Sequence, residues 1–424
     1  MVRELELSEK LEILTSLAAE DREGPPEAPL PPRLRHANEA GALRPLNIRV
    51  LRGAGGPPMR LLRILMTNAC ALNCHYCPMR RDRDMRRTLL KPEELVRIFL
   101  GARRRKWCEG LFITTGIPAR PEKVTDDLIQ VLELLRVRHK FDGYIHVKLV
   151  PGAEQAQIER ITALATRVSV NLEAACGDTL EQIAPEKQLE RTLVTLERAR
   201  RVVVSSKAEA RAGRPRDARQ PGGIAGMTMQ FVVGATPDSD RTIMDRVTRL
   251  YAGGGIHHAH FSAFRPIRDT PMEGTPATPA MREHRLYQAD WLVRDYGFSP
   301  NEVVYQDNGN LPLTMDPKTA WALAHVEHFP VEITTAGFEE LLRVPGIGPR
   351  SARRLVNERR TAFIRGLRDL RQFGVVTSRA AGFITLRGKR LQSITWTEQL
   401  GLWRPEDEVG ARHEIYDFSP GTFR

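Results

Sequence analysis

The feature that most constrains the fold is a regular alternation of short apolar segments and longer amphipathic segments between residues 60 and 300. Strict alternation of strands and helices predicts a parallel sheet with helical crossovers. A doubly wound sheet and a six-unit partial barrel both satisfy this pattern. The predicted strands cover 61–67, 110–115, 143–150, 167–173, 227–234 and 256–264, and the predicted helices cover 92–102, 127–137, 154–165, 178–200, 239–253 and 282–297.

The flanking segments have a different composition. Residues 1–20 have helical spacing of leucines, and a Pro-rich extension continues to residue 59. Residues 205–226, rich in Gly, Pro and Arg, interrupt the fourth crossover and are predicted to form a mobile loop. Beyond the predicted barrel at 60–300, we expect a connector at 301–335, a helical module at 336–388 and a tail at 389–424.

Composition excludes some classes of protein. The chain has 424 residues, and no run of about 18 apolar residues suggests a membrane span. Its first residues are charged and lack the apolar core of a secretory signal, so we expect a cytoplasmic protein without a membrane partner. The net charge of +12 favours an anionic partner without distinguishing DNA, RNA or a membrane surface.

Three of the five cysteines lie close together at the end of the first predicted strand. Cys70, Cys74 and Cys77 have the spacing Cx3Cx2C, and sites in parallel βα folds gather at the carboxyl ends of strands. Three thiolates can hold three irons of a four-iron cluster and leave the fourth open to a cofactor. Two alternatives are a zinc site completed by His75 and a set of inert buried thiols; the spacing and position favour the cluster.

This loop, with Tyr76 before the last cysteine, resembles the signature of the radical S-adenosylmethionine (radical SAM) superfamily. The resemblance implies an α/β fold, a partial (β/α)6 barrel, which agrees with the six units counted above. It also implies a 4Fe–4S cluster, reductive cleavage of S-adenosylmethionine, and reduced ferredoxin or flavodoxin as the electron donor. The product of that cleavage, a 5′-deoxyadenosyl radical, abstracts hydrogen from a substrate in this superfamily.

The same resemblance implies further site residues at the ends of later strands. The second strand ends in Thr114, Thr115 and Gly116, where the superfamily often has Gly-Gly-Glu, so the acid is missing here. Other positions expected near the cofactor are Asn171, Glu173, Gln230 and Gly234, although Glu173 would equally suit a structural salt bridge.

Two cysteines lie outside the cluster loop. Cys176 follows the fourth strand on the side of the chemistry, where a thiol can donate a hydrogen atom to a product radical. The alternative for Cys176 is a small buried apolar residue. Cys108 precedes the second strand and is expected at the amino end of the barrel.

The helical module carries a glycine turn and an excess of arginine. Gly346 and Gly348 separate two predicted helices, and between 341 and 371 nine arginines oppose Glu358 and Asp369. This segment resembles the helix–hairpin–helix motif, which implies an all-α domain that contacts phosphates through backbone N–H groups and through Arg350, Arg353 and Arg354. A second, degenerate hairpin is predicted 28 residues later at Gly374. A packing or protein-binding hairpin is the alternative.

The combination of barrel and hairpin resembles a bacterial group of DNA modification or repair radical SAM proteins. That resemblance implies duplex DNA as substrate and a uracil-DNA-glycosylase-like protein as a partner. Two other hypotheses stay open: a radical SAM enzyme acting on tRNA or other RNA, and a non-catalytic DNA-binding iron–sulfur protein.

Overall fold

The computed structural model of the chain describes residues 5–20, 46–51, 58–212, 226–362 and 364–391. Within these residues the chain forms two compact units. The first lies in Met1–Asp238 and Arg246–Pro279, and the second lies in Ser239–Asp245 and Ala280–His413.

The first unit is built on a seven-stranded sheet whose spatial order follows the sequence. Strands β2 to β7 pair in parallel, and β1 pairs antiparallel with β2. The strands are β1 (Asn47–Leu51), β2 (Met59–Leu65), β3 (Gly110–Thr114), β4 (Ile145–Lys148), β5 (Arg167–Glu173), β6 (Gly226–Val233) and β7 (Ile256–Ala263). The helices from α1 to α6 are Leu7–Glu20, Pro92–Arg104, Pro121–Glu133, Gln155–Leu164, Gly177–Ile183 and Leu189–Arg211. Helix α7, Asp240–Ala252, has its first residues in the range of the second unit and the rest in that of the first.

The strand order decides between the two sheets that the alternation allowed. A doubly wound sheet reverses its strand order at a switch point, whereas here each parallel strand lies beside its sequence neighbour. Because crossovers of one hand then place all helices on one face, the sheet curls into a half-barrel. The expected α/β partial barrel is confirmed at this level.

Local chemistry explains the helix boundaries. Helix α2 begins at Pro92, which needs no hydrogen-bond acceptor at the first position, and Glu93 and Glu94 lie in its first turn. The Glu94 carboxylate accepts a hydrogen bond from the Lys91 backbone N–H at 2.8 Å. Acidic residues near the positive end and arginines in the last turn both complement the helix dipole.

Three features of the first unit differ from the expectations. Strand β1 was not predicted, because its five residues follow a Pro-rich segment that obscures the pattern. The segment 205–226 was predicted to be a loop, but α6 continues to Arg211 and β6 begins at Gly226. Residues 213–225 lie outside the described residues. The single helix predicted over 178–200 is instead two helices, α5 and α6.

The second unit contains short helices and a small sheet. Its helices are α8 (Ala280–Asp295), α9 (Pro317–Ala324), α10 (Phe338–Arg343), α11 (Pro349–Glu358), α12 (Leu367–Leu370) and α13 (Thr377–Ala380). Strands β8 (Val331–Glu332), β9 (Ile384–Leu386) and β10 (Lys389–Arg390) form the sheet in the order β10-β9-β8.

The module at 336–388 is therefore not all-α as expected. The predicted second hairpin continues from the four-residue helix α13 into β9, and Ile384 pairs with Val331. Buried residues in Ile384–Leu386 join the same core as Leu341, Leu355 and Phe373. Strand pairing with a distant segment, which local periodicity does not encode, decides this conformation. The predicted tail at 389–424 lies largely outside the described residues.

No helix among the described residues is both long enough and apolar enough to cross a bilayer.

Candidate active site

The cysteine loop leaves the carboxyl end of β2 and is tied to the end of β3. The Met66 N–H donates to the Thr114 carbonyl at 2.8 Å, and the Gly116 N–H donates to the Thr67 carbonyl at 2.7 Å. A Cβ at Gly116 would lie 2.4 Å from the Ala69 carbonyl oxygen, so only glycine permits this approach. Close packing against Ala69 therefore explains the glycine at position 116. Its predicted contact with the cofactor stays a prediction.

Arg87, which the sequence did not single out, closes the loop. Its guanidinium donates to backbone carbonyls along the loop and fixes the curvature that holds the cysteines together. Those carbonyls belong to Asn68, Met79, Arg80, Arg81 and Arg83. The sequence has 64 lysines and arginines, and no pattern around Arg87 distinguishes it from the others.

The three cysteines lie on this single loop as free thiols. Cys74 is buried, and removal of its thiol from water raises the pKa to about 11. The Cys77 thiol is also enclosed, which raises its pKa to about 12, and it accepts a 3.4 Å hydrogen bond from the Met79 N–H. Metal coordination needs thiolates, so binding at this loop releases protons.

The donor set consists of three thiols on one loop, and thiolates are the usual ligands of iron–sulfur clusters. Among the described residues, no three His, Cys, Asp or Glu side chains converge on one ion position. Cluster ligands bind separate irons, so their sulfurs need not converge. His75, the fourth ligand in the zinc alternative, donates from Nδ1 to the Gln182 carbonyl at 2.9 Å, and this bond leaves its Nε2 available. Cys70, Cys74 and Cys77 are the residues that would hold the cluster.

A buried ion pair lies beside the cysteine loop. Glu173 ends β5 with a left-handed φ of 68°, and its Oε1 accepts from Lys187 Nζ at 2.6 Å. Burial alone lowers the pKa of Lys187, but the Glu173 charge outweighs it and leaves the pKa raised. The Tyr76 hydroxyl also hydrogen-bonds to Glu173, and enclosure together with that charge raises the pKa of Tyr76. Glu173 therefore forms the salt bridge that was one of the two roles expected for it. Its partner, Lys187, was not identified from the sequence.

The remaining expected cofactor positions have separate local roles. Thr115 Oγ1 donates to the Gly116 carbonyl at 2.8 Å, and Thr114 is buried at the end of β3. Gln230 is buried, accepts from Lys148 Nζ at 2.6 Å and donates to Ser262 Oγ at 3.0 Å.

Asn171 and Gly234 have different structural surroundings. The Asn171 Oδ1 is buried without a hydrogen-bond partner in the described part of the chain, so it is open to a ligand. Gly234 has a φ of 80°, and a Cβ there would lie 2.1 Å from Thr278 Oγ1, so this turn requires glycine. No observation assigns a cofactor contact to either residue.

The two other cysteines occupy opposite ends of the sheet. Cys108 is buried just before β3, at the amino end, as expected. Cys176 directly precedes α5 after β5, is partly exposed, and its carbonyl accepts from Thr179 Oγ1 at 3.1 Å. Hydrogen-atom donation by Cys176 therefore stays a prediction.

In the second unit, the turn between α10 and α11 contains a glycine in the left-handed region of backbone conformation. Gly346 has a φ of 79°, and Gly348 precedes the first residue of α11. Ala352 and Leu355 are buried, whereas Arg350, Arg353 and Arg354 are exposed. Arg354 also donates to the Gln372 carbonyl at 2.8 Å, so part of its role is structural.

Comparisons with solved structures give distant similarities. The FeFe-hydrogenase maturase HydG from Carboxydothermus hydrogenoformans is 16% identical, with 54% of this chain and 50% of HydG covered and a TM-score of 0.42. Methylornithine synthase (PylB) is 10% identical, with coverages of 78% and 73% and a TM-score of 0.39. The radical S-adenosylmethionine methyltransferase TsrM from Kitasatospora setae, with cobalamin and a 4Fe–4S cluster bound, is 15% identical over 49% and 35%, with a TM-score of 0.35.

The chain therefore spans about half the length of HydG. No curated protein sequence matches it significantly. A sequence model of the radical SAM superfamily, however, matches residues 64–208, which include the cysteine loop, β3 to β5 and Lys187. Residues 64–208 are a radical SAM superfamily domain, whose cofactors are a 4Fe–4S cluster and S-adenosylmethionine.

Proposed function

We propose that the chain is a radical SAM enzyme that acts on nucleic acid, with duplex DNA as the substrate. The first unit supplies the cysteine loop, and the second unit supplies a basic surface for the phosphate backbone. When bound, the cluster and cofactor supply an electron and a 5′-deoxyadenosyl radical. Ferredoxin or flavodoxin is the proposed electron donor, and repair or modification of a base or sugar is the proposed outcome.

The observation that carries this proposal is the two-sided character of α11. Its inner face is apolar and buried at Ala352 and Leu355, while its outer face exposes Arg350 and Arg353. The helix follows a left-handed glycine turn, and backbone N–H groups at such turns and helix starts favour anions. A protein-binding hairpin would not need this excess of arginine.

A pseudo-twofold arrangement of two glycine turns adds support. Gly374 has a φ of 83°, close to that of Gly346 at 79°. A Cβ on Gly346 would approach Arg379, and a Cβ on Gly374 would approach Ser351. Residues 346 and 374 differ by 28, as do 351 and 379, so each turn packs against the helix that follows the other. A paired hairpin suits the two backbones of a duplex.

Charge reversal on α11 tests the proposal. The variants Arg350→Glu and Arg353→Glu should weaken duplex binding and flatten its salt dependence by about one unit of slope per lost phosphate contact. Arg201→Glu is the matched control, because it makes the same charge change on an exposed side chain of the first unit. Binding is measured by fluorescence anisotropy between low and moderate salt, with structured RNA as competitor.

Two results would overturn the assignment. If the α11 variants bind duplex as tightly as Arg201→Glu, then α11 is not the nucleic-acid surface. If RNA displaces duplex completely at equal concentration, then RNA is the substrate class. Release of 5′-deoxyadenosine on anaerobic reduction, measured in the same preparations, distinguishes an enzyme from a non-catalytic cluster protein.

A further inference from the structure

Two arginine-rich loops, which we call the mouth loops, lie at the carboxyl edge of the half-barrel sheet. The first, residues 79–87, follows the cysteines after β2, and the second, residues 264–274, follows β7. Because the carboxyl ends of parallel strands share one edge of a sheet, both loops lie at the mouth of the half-barrel. Together they contain seven arginines, four carboxylates and no lysine.

The mouth loops touch each other although their strands are far apart in the sheet. Strands β2 and β7 are separated by four other strands. Nevertheless, the Arg83 guanidinium of the first loop lies 3.9 Å from the Asp269 carboxylate of the second. The curl of the sheet therefore brings the second loop to the segment that follows the cysteines. The Asp269 side chain is 66% exposed, so solvent weakens its attraction for Arg83.

Arg80 is a largely enclosed cation with an unmet hydrogen-bonding group. Its side chain is 13% exposed, and its Nε is buried without a hydrogen-bond partner among the described residues. A carboxylate oxygen of Asp82 lies 4.0 Å away, which is too far for a hydrogen bond. Asp82 instead accepts from Arg81 and Asn73. A buried donor without an acceptor costs free energy, which a bound anion would offset.

Arg83 has only part of its guanidinium engaged. Its Nη1 donates to the Pro78 carbonyl at 3.1 Å, whereas its Nε is buried without a hydrogen-bond partner in the described part of the chain. The Arg83 backbone N–H donates to the Arg80 carbonyl at 3.3 Å, so these two arginines begin and end one turn. The turn therefore carries two cations, each with an N–H group that a bound oxygen atom would satisfy.

The second mouth loop adds two exposed cations, Arg265 and Arg268. Its two carboxylates are engaged within the mouth loops. Asp269 lies against Arg83, and Glu273 accepts from the Asp269 backbone N–H at 2.9 Å. The positive charge of the arginines thus exceeds the negative charge around them.

This arrangement fits phosphate groups better than a broad acidic protein surface. A guanidinium has five N–H donors in a planar fork that matches two phosphate oxygens, whereas the ammonium of lysine is a point charge. A phosphodiester is also small enough to reach an enclosed guanidinium. An acidic electron-donor protein would cover a wider area that includes the exposed Asp82, Asp84 and Asp269, where like charges repel it.

We propose that Arg80 and Arg83 bind a phosphodiester of a nucleic-acid substrate at the mouth of the half-barrel, and that Arg265 and Arg268 hold neighbouring phosphates. This inference rests on the proposed function, because it takes nucleic acid as the substrate, and it adds a phosphate contact within the first unit. The Arg80 N–H donates to the Cys77 carbonyl at 3.2 Å, so the bound phosphate lies beside the segment that carries the cluster ligands. Anchoring of this kind positions one nucleotide next to the cysteine loop.

Nucleic-acid binding by the full-length, cluster-loaded chain tests this site, with a fluorescein-labelled duplex and a structured RNA as probes. Arg80→Met and Arg83→Met should each weaken binding about tenfold and lower the salt slope by about one unit. Arg80→Lys keeps the charge but not the fork, so it should keep the salt slope while binding less tightly than the wild type. Arg160→Met is the matched control, because Arg160 is a partly exposed arginine of α4 that pairs with Glu133.

Variants of the second mouth loop keep the test decisive if changes in the first loop disturb the cysteines. Arg265→Met and Arg268→Met lie outside the cysteine loop, so their iron content should match that of the wild type. The salt slope of their duplex binding should still fall by about one unit each. Iron content is measured for every variant, together with the rate at which reduced flavodoxin and dithionite reduce the cluster.

Three outcomes would reject the site. The first is equal affinity and salt slope in the mouth-loop variants and Arg160→Met. The second is unchanged nucleic-acid binding with slower reduction by flavodoxin but not by dithionite, since the surface would then serve an acidic electron donor. The third is weaker binding in the first-loop variants alone, in parallel with loss of iron, since damage to the cysteine loop would then explain it.

Failure of this site is distinguishable from failure of the proposed function. If the wild type binds neither duplex nor RNA, the proposed nucleic-acid function itself is wrong. If the α11 variants weaken binding and the mouth-loop variants do not, only the phosphate site at the mouth of the half-barrel is wrong.

Discussion

At the scale of single residues, Glu173 is a buried carboxylate that contacts the cysteine loop through Tyr76. It is 2% exposed, adopts a left-handed backbone conformation, and joins Lys187 and Tyr76. A non-glycine residue in this conformation costs energy and persists only where its surroundings enforce it. The enforced geometry places a carboxylate next to Tyr76, which lies between Cys74 and Cys77 in the sequence.

Removing the Lys187 charge should leave the Glu173 carboxylate buried and unpaired. We expect Lys187→Met to destabilise the first unit by about 3–5 kcal/mol, and the double variant with Glu173→Gln to recover a large part of that loss. The free energy of unfolding in urea measures both. Arg201→Met is the control, because it breaks an exposed pair with Glu197 and should cost less than about 1 kcal/mol. Equal losses in the Lys187 and Arg201 variants would contradict the role assigned to the buried pair.

At the scale of elements, turns between short helices and strands carry most of the geometry of the second unit. Gly346 adopts a φ of 79°, and its carbonyl accepts from the Val376 N–H at 2.9 Å. Glu332 in β8 accepts hydrogen bonds from the Arg387 and Gly388 N–H groups in the turn that leads to β10. Both contacts join segments that are far apart in sequence.

The glycine turn should tolerate no side chain. A Cβ at Gly346 would lie 2.5 Å from the Val376 carbonyl oxygen, so Gly346→Ala should lower the free energy of unfolding by more than about 1 kcal/mol. Gly366→Ala is the matched control, because a Cβ at Gly366 would meet no atom of the described residues within 4 Å. Chemical denaturation compares the two. Loss of DNA binding in a Gly346 variant therefore would not by itself identify a phosphate contact, and the arginine variants are the cleaner test.

The β9–β10 turn should lose stability in acid. Burial by itself raises the pKa of Glu332, but hydrogen bonds from Gly388 and Thr334 outweigh it and lower the pKa to about 2. Because the folded pKa is depressed, the stabilisation is complete above the ordinary value of 4.5 and is lost as the pH falls from there through about 2.

Glu332→Gln should accordingly cost roughly 1–3 kcal/mol near neutral pH. The difference in unfolding temperature between wild type and variant should shrink steadily below pH 4.5, as calorimetry of the full chain would show. A difference that stays constant down to about pH 2.5 would mean that the carboxylate charge contributes nothing to this turn.

At the scale of the whole molecule, the cofactor chemistry and the basic surface belong to different compact units. The superfamily domain lies within the first unit at 64–208, and the glycine turns lie within the second. The chain carries a net charge of +12, which favours long-range attraction of polyanions.

Binding of S-adenosylmethionine should stabilise the folded chain only when the cysteine loop is intact. With S-adenosylmethionine at about 100 times its Kd, the added stability is about 2.7 kcal/mol, which appears as a rise in unfolding temperature. Cys74→Ala should lose both iron and this rise. Cys108→Ala should retain both, because Cys108 lies at the amino end of β3. Iron content and thermal unfolding under anaerobic conditions check the prediction, and a rise in Cys74→Ala would place the cofactor elsewhere.

The sequence by itself determined the first unit to a large extent. Periodicity and parallel-strand composition are local properties, so the six parallel strands and the cysteine loop were predictable from neighbouring residues. The superfamily assignment also rested on local spacing and is confirmed by the match to residues 64–208. Strand β1 and the true length of α6 were missed, because flanking Pro-rich and Arg-rich segments concealed weak patterns.

Tertiary structure alone decided the contacts between residues distant in sequence. The sequential strand order selects a half-barrel over a doubly wound sheet. The pairing of Glu173 with Lys187, the closure by Arg87 and the addition of β9 to a small sheet each join segments brought together only by folding. The same is true of the row formed by Arg63, Phe112, His146 and Arg167, because only the register of the strands places these residues on neighbouring strands at one level of the sheet.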